Sequence, residues 1–324
     1  MDIIEHTEGR VPGPGLYRMP AKVYHADPAP EPSLSSSIAK LFLTHSPEHA
    51  WAEHPRLGKA PDDEVDPSRI TENGSAVHKL ILGQGADLVI IDADDYRTKD
   101  AKAARAAAYA EGNAPILKPD IDKAEAMAGR FVTRMALIPG CEGFAQAQAE
   151  VVAVVRDRSG AWLRIMMDKV EIDDHGAVIW DVKSGNVSAA PQGLGRRVEQ
   201  MGMEVQAAFY VRALETLLPR LAGRVRFRWA FIENDAPHGL SVAEADAIGM
   251  GIGARKVDVA IQTWNRCLEA KVWPGYPAEI IRVEYPEWAA NRWTEREVSD
   301  PQLTGVNYDP ATSPYRPYGF GDAA

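Results

Sequence analysis

The sequence predicts a mixed α/β fold, a central β-sheet flanked by helices, and three observations carry that prediction. Three strand-like segments follow one another, "QAEVVAVVRD", "WLRIMMDKVEI" and "AVIWDVKS", separated by turn-forming residues. Helix-patterned segments stand on both sides of this meander. Strand material then returns in "RVRFRWAFIE" and "LSVAEA", ahead of a last long helix ending "NRCLEA". Helix, meander, helix, strand is the order of a sheet covered by helices.

Taken along the chain, residues 1–15 are acidic and rich in Pro and Gly and read as a flexible tail. "PAPEPSLSSSIAKLFL" is a Pro-rich loop, then a serine run suited to cap a helix beginning near Ile38. A nucleophilic serine would need a nearby base, which this segment lacks. "ITENGSAVHKLILG" reads as a helix with Val77, Leu80 and Ile81 on one stripe. Ala-rich helices are expected over 99–111 and 119–136, joined by "NAPILKPD". "EQMGMEVQAAFYVRALETLL" reads as one long helix. The expected organisation is a single domain over 16–295, with a helical part at 16–140 and a sheet with helices at 147–295. A carboxy-terminal tail over 296–324 follows.

The chain has 324 residues, 45% hydrophobic and 25% charged, with a formal net charge of −10. No global basic field draws it to a polyanion, so any such site must be a local patch of Lys and Arg. Two cysteines, Cys141 and Cys267, are too few for a disulfide framework or a four-cysteine metal site. No apolar run approaches the roughly 20 residues that span a bilayer, and the start lacks a signal-peptide core. The expectation is a cytoplasmic protein without a membrane partner.

Chemistry concentrates in "VIWDVKSGN", residues 178–186. Val178, Ile179, Trp180 and Val182 suit a buried strand, yet Asp181 and Lys183 interrupt the run. Strand side chains alternate, so this acid and this ammonium share a face, roughly 6.6 Å apart along the chain. "DDHG", residues 173–176, is a tight turn. A hairpin symmetric about it opposes Ile172 with Ala177, Val170 with Ile179, Asp168 with Asp181, and Met166 with Lys183. Carboxylates directly opposed across strands repel; a divalent cation is the simplest reason to keep them. Glu150, opening the preceding strand, can join as a third acid. Carboxylates without a His or Cys cluster favour Mg²⁺ or Mn²⁺ over zinc. Such an ion lowers the pKa of bound water, and Lys183 would stabilise a nascent hydroxide or the charge on a phosphate. The plainer reading of D-x-K is an ion pair or a solvated edge, and a bulge would shift the pairing by one residue.

Here the sequence resembles the PD-(D/E)xK nuclease superfamily, and within it the RecE-like, exonuclease VIII-type enzymes of phages and prophages. The resemblance rests on segments in the family's order: "YHADPAPEPSLSSSIAKLFLTHSPEHAWA", "GSAVHKLILG", "YRTKDAKAARAAAYAEGN", "MMDKVEI", "WDVKSGN" and "VQAAFY". Met166-Met167 stand where the family often carries Arg-Pro, and Gly185 where a small hydroxyl residue is usual. The resemblance implies a restriction-endonuclease-like core in which Asp168 and Asp181 hold the metal, assisted by the Val182 carbonyl. It implies that Lys183 activates water, that Glu150 is an extra acid, and that His78 approaches the metal or the scissile phosphate. Gln206 and Tyr210, one helical turn apart, would position DNA. The implied activity is a metal-dependent, ATP-independent exodeoxyribonuclease on linear duplex DNA, acting 5′ to 3′ and leaving 3′ strands for recombination. A homo-oligomeric ring and a single-strand annealing partner are implied too. The absence of a GxxxxGK[ST] sequence agrees with ATP independence.

Other readings fit parts of the pattern: another RecB- or Cas4-like nuclease, or an idle DNA-end-binding subunit that keeps the fold. Cluster-bearing Cas4-like forms need four cysteines, and a zinc hydrolase lacks its HExxH pairing. For gripping DNA, Arg224, Arg226 and Arg228 share a strand face, either solvated or lying along phosphates. Arg97, Lys99, Lys102 and Arg105 form a second cluster. Arg196-Arg197, between the lysine strand and the Gln206 helix, is the best placed. Trp264, Trp273 and Trp288 read as core and interface anchors rather than base-stacking platforms.

Overall fold

Turn chemistry and strand alternation set the sheet. The computed structural model describes residues 2–59, 68–305, 308–309 and 311–312. Its first part holds β1 (Ile3–Glu5), β2 (Gly15–Arg18), α1 (Ala21–His25), β3 (Ser33–Leu34), α2 (Ser36–Thr44) and α3 (Pro47–Glu53). Next come α4 (Arg69–Leu82), β4 (Leu88–Ile91), α5 (Lys99–Ala110), β5 (Ala114–Leu117) and α6 (Lys118–Met135). The meander is β6 (Gln148–Arg156), β7 (Trp162–Ile172) and β8 (Ala177–Gly185), followed by α7 (Pro191–Gln200) and α8 (Met203–Leu217). β9 (Val225–Glu233), β10 (Leu240–Glu244) and α9 (Ala247–Ala270) complete this unit.

The main sheet has eight strands in the order β1-β2-β6-β7-β8-β9-β10, with β3 added beside β7. β6, β7 and β8 are antiparallel neighbours, whereas β8 and β9 run parallel. At the β7–β8 turn, Asp173 Oδ1 accepts the N–H groups of His175 (2.6 Å) and Gly176 (2.8 Å). That turn fixes the expected register from Ile172–Ala177 to Lys169–Trp180. One sheet face, with Ile165, Ile179 and Trp229, buries itself under α2, α8 and α9. The other, with Trp180, Val182 and Ile232, lies under α4 and α6. No helix among the described residues is long and apolar enough to cross a membrane.

Alternation fails at one level of the sheet. On β6, Ala149 packs on the α4–α6 side while Val151, two residues on, packs on the opposite side. Glu150 between them has φ +49°, which reverses the strand's handedness of presentation. On β7, Met167 and Val170 share a face although two residues, rather than one, lie between them. The two kinks lie opposite each other, because Ala149 pairs with Lys169 and Val151 with Met167. The expected stripe of Met166, Asp168 and Val170 is therefore broken. Met166 packs instead against the cluster of Val152, Val154 and Trp162, and does not oppose Lys183.

Other expectations are corrected too. The segment expected as a tail contributes β1, which pairs in parallel with β2. The expected helical part holds strands, since β4 and β5 form their own parallel pair where "NAPILKPD" was expected to be only a connection. The long helix from Glu199 breaks at Gly202, whose φ of +56° ends α7 and starts α8. The chain divides into two compact units, residues 1–275 and 276–324. The second unit contains α10 (Glu287–Ser299) and α11 (Pro301–Thr304), and Trp288 of α10 stacks with Arg292 at 5.1 Å.

A buried polar knot ties the amino-terminal segment to β7. The Asp27 carboxylate accepts the Ser33 N–H (2.9 Å) and hydroxyl (2.5 Å), and Arg164 donates to the Ser33 carbonyl and hydroxyl. His54, fully buried, donates Nε2–H to the same carbonyl (3.0 Å) while its Nδ1 accepts the Arg56 N–H (3.2 Å). Both ring nitrogens are thus used by the neutral form. Burial holds the ring down to about 4, against 6.5 for a free histidine. The unfolded chain therefore takes up this proton first as the pH falls, and stability is lost from about pH 6.5 down to about pH 4. Urea denaturation across that window should show a loss on the order of 3 kcal/mol, and His54→Gln should flatten this part of the profile.

Candidate active site

β7 changes partners along one edge. β3 pairs with it at Trp162 and Leu163, and β8 only from Lys169 onward. Among the described residues, 164–168 have no strand on that side. Side chains meet the freed backbone groups, as burial requires. Tyr210 of α8 donates its hydroxyl to the Met166 carbonyl at 2.9 Å, and the Asp168 carboxylate accepts the Val182 N–H at 2.7 Å. β8 meanwhile stays on β9 as far as Gly185, carrying Asp181 and Lys183 past the end of the hairpin ladder. Asp168 and Asp181 stand in the mouth of this split.

Strand alternation holds on β8, so Lys183 reaches its neighbour. Its Nζ lies 2.8 Å from Asp181 Oδ2 and 3.0 Å from Oδ1. Gln206 donates to Asp181 Oδ1 at 2.9 Å. Asp181 Oδ2 is buried and faces the Lys183 ammonium. His78 arrives from α4 with Nε2 3.0 Å from Asp168 Oδ2. Glu150 sits at the β6 kink opposite Asp168. The loop after α4 approaches it at Gly85 (φ +105°), where a Cβ would stand 2.9 Å from Glu150 Oε1. Glycine serves there on both counts.

The two aspartates are driven apart electrostatically. Burial raises Asp181, and the Asp168 charge adds to that rise against the pull of Lys183. Burial also disfavours the Asp168 carboxylate, but His78, Lys183 and the Val182 N–H outweigh it and hold this group low. Glu150 is raised by burial and by Asp168. His78 would be lowered by burial alone; the charge and hydrogen bond of Asp168 raise it instead. The two carboxylates are thus pushed to opposite sides of the ordinary aspartate range by their surroundings.

Of the residues expected at the site, Asp168, Asp181, Lys183, His78, Glu150 and Gln206 come together. Tyr210 joins through the Met166 carbonyl, so Gln206 and Tyr210 both spend polar atoms on the protein. Arg196 is exposed on α7. Arg197 crosses Gly185, lying 3.8 Å from where its Cβ would be, and stacks on Phe231 at 4.7 Å. The arginine stripe of β9 is consumed: Arg226 and Arg228 bind Glu244, and Arg228 also covers the Trp180 ring. Arg105 is held by the buried Glu72 at 2.6 Å. Trp264 is fully buried and Trp273 packs edge-on against it.

The donor chemistry fits a hard divalent cation. Asp168, Asp181 and Glu150 offer oxygens, and one of them, Asp181 Oδ2, is buried against the Lys183 ammonium. Among the described residues no three His, Cys, Asp or Glu side chains converge on one point. Lys183 and His78 hold the acidic charge in this arrangement. One neighbour escaped the sequence reading: Lys40 of α2, whose charge environment includes Lys183 and Asp181. It lies in a capped helix far along the chain from the D-x-K strand, and no local pattern marks it.

Sheet order, split hairpin and the Asp-Asp-Lys grouping define a protein of the PD-(D/E)xK nuclease class. The chain belongs to the family described as a PDDEXK-like domain of unknown function (DUF3799), whose model matches residues 35–284. A crystal structure of a candidate exonuclease from Eubacterium rectale is similar in fold, with a TM-score of 0.53 at 13% identity. It covers 87% of this chain and 98% of that one. A second structure, SSO0001, has a TM-score of 0.25 at 11% identity over 62% of this chain and 96% of its own, too low to bear on the fold. No curated protein sequence matches the chain.

If Asp168 holds the histidine proton, the pKa of His78 in metal-free protein lies above 6.5. Asp168→Asn should lower it, because burial then acts with less opposition. A ring-nitrogen NMR titration reads this directly.

Proposed function

We propose that the protein is a divalent-metal-dependent, ATP-independent exodeoxyribonuclease that hydrolyses phosphodiester bonds of linear double-stranded DNA. The observation that supports this most is the placing of Asp168, Asp181 and Lys183 in the split between β7 and β8, with Glu150 and His78 on its other side. Asp168, Asp181, Glu150 and the Val182 carbonyl would hold the cation, with His78 reaching in from α4. Bound Mg²⁺ or Mn²⁺ would supply water of lowered pKa and neutralise charge on a phosphoryl oxygen.

The chain's own groups do the rest. Gln206 holds Asp181 Oδ1 in place and leaves Oδ2 to the Lys183 ammonium at rest. The Lys183 ammonium, paired to Asp181 at rest, stands where it can stabilise negative charge on the attacking or leaving oxygen. Tyr210 fixes the backbone two residues before Asp168, keeping the split open to its proper width. Arg196 is free to meet a backbone phosphate, with Arg197 behind it. By resemblance to RecE-like enzymes, digestion runs 5′ to 3′ and leaves 3′ tails for an annealing partner in recombination. On the same ground the chain assembles as a homo-oligomeric ring in the cytoplasm.

Linear duplex DNA with Mg²⁺ should be degraded to nucleotides, and chelation should stop it. Asp181→Asn and Lys183→Ala should each lower the rate by about a hundredfold or more while the protein still melts cooperatively. Duplexes labelled at either terminus read the polarity. Retention of DNA without nucleotide release by the wild type would instead indicate an idle end-binding subunit.

A further inference from the structure

Lys40 sits in the middle of α2, a helix started by Ser35, whose hydroxyl accepts the Ile38 N–H. Ile38 and Ala39 are buried, which turns this stretch of α2 onto α8. The Lys40 stem passes the start of α8, where a Cβ on Gly202 would be 3.6 Å from Lys40 Cδ. Two residues into α8 lies Glu204, and two further lies Gln206, which holds Asp181. The charged groups facing Lys40 are Lys183, Asp181 and Glu204.

Both of those carboxylates already have cations. Asp181 has Lys183 at 2.8 Å, and Glu204, almost fully buried, has Lys256 of α9 at 2.5 Å. Lys183 answers to Asp168 as well as Asp181, and Lys256 to Glu204, so these carboxylates are served without Lys40. Lys40 Nζ makes no hydrogen bond and no ion pair within 4.0 Å among the described residues. Burial and the neighbouring Lys183 charge both act against its ammonium. A half-buried cation without a partner is unfavourable unless an anion completes it.

We propose that Lys40 is a substrate-binding residue whose ammonium holds a non-bridging oxygen of a backbone phosphate in the strand at the Asp181–Lys183 centre. This rests on the nuclease reading and adds to it a contact from the amino-terminal part of the chain. Phosphate matches the geometry because its oxygens accept from a flexible point charge at many angles, which is how lysine binds it.

The test compares wild type with Lys40→Met, which keeps the stem and removes the charge, and with Lys40→Arg. Steady-state cleavage of linear duplex with Mg²⁺ should show KM raised about tenfold in Lys40→Met with kcat nearly unchanged. Binding of a fluorescent duplex in metal-free buffer should show the slope of log K against log salt reduced by about 0.9. Lys40→Arg should restore most of both. Wild-type KM and slope in Lys40→Met would overturn the proposal. A raised KM with an unchanged slope would overturn it too, because the residue would then act through packing. If the wild type binds DNA without cutting it, the slope still decides the Lys40 contact while the nuclease reading falls. If it neither binds nor cuts, both fall.

Discussion

The site depends on one exchange of partners: the Val182 N–H goes to the Asp168 carboxylate instead of continuing the β7–β8 ladder. Had the hairpin zipped on, Asp168 and Asp181 would be directly opposed, with their charges forced together on a closed sheet. By accepting a main-chain donor, Asp168 both props the strands apart and gains a reason to stay ionised. Tyr210 holds the Met166 carbonyl, and β3 pairs with Trp162 and Leu163 where the opened stretch of β7 begins. An opening of this kind needs all three supports at once.

Electrostatic asymmetry follows from the same exchange. Asp168 has a histidine, an amide and a nearby ammonium; Asp181 is deeper, and Lys183 does not fully offset its burial. The two acids are chemically alike in sequence and unlike in place. Glu150 is presented across from Asp168 only because its backbone takes a left-handed conformation. Such conformations cost of order 1–3 kcal/mol and persist where surrounding structure over-determines them. Here the flanking pairs Ala149–Lys169 and Val151–Met167 clamp it from both directions.

Much of this was legible in the sequence, for identifiable reasons. The D-x-K pair on an apolar strand, the Asp-rich turn and the helix over His78 are local signals, and local physics decides them. What stayed hidden involves non-local terms. A positive φ at Glu150 leaves no mark in a residue that is not glycine, so the flipped alternation around it could not be read. The break at Gly202 was masked by good helix formers on both sides. The β9 arginines resembled a phosphate stripe because Glu244, their actual partner, comes from a different strand. Lys40 reaches the centre only through packing of α2 on α8.

The shared outer edge of β7 also has a meaning for biogenesis. Its two halves are completed by segments more than a hundred positions apart, Ser33–Leu34 before it and Ala177–Trp180 after it, and the opening is braced by α8 later still. A chain emerging from the ribosome therefore cannot own a finished cleft until Tyr210 has cleared the exit channel. Fragments ending between Lys183 and Tyr210 carry Glu150, Asp168, Asp181 and Lys183 yet lack the hydroxyl that holds the Met166 carbonyl.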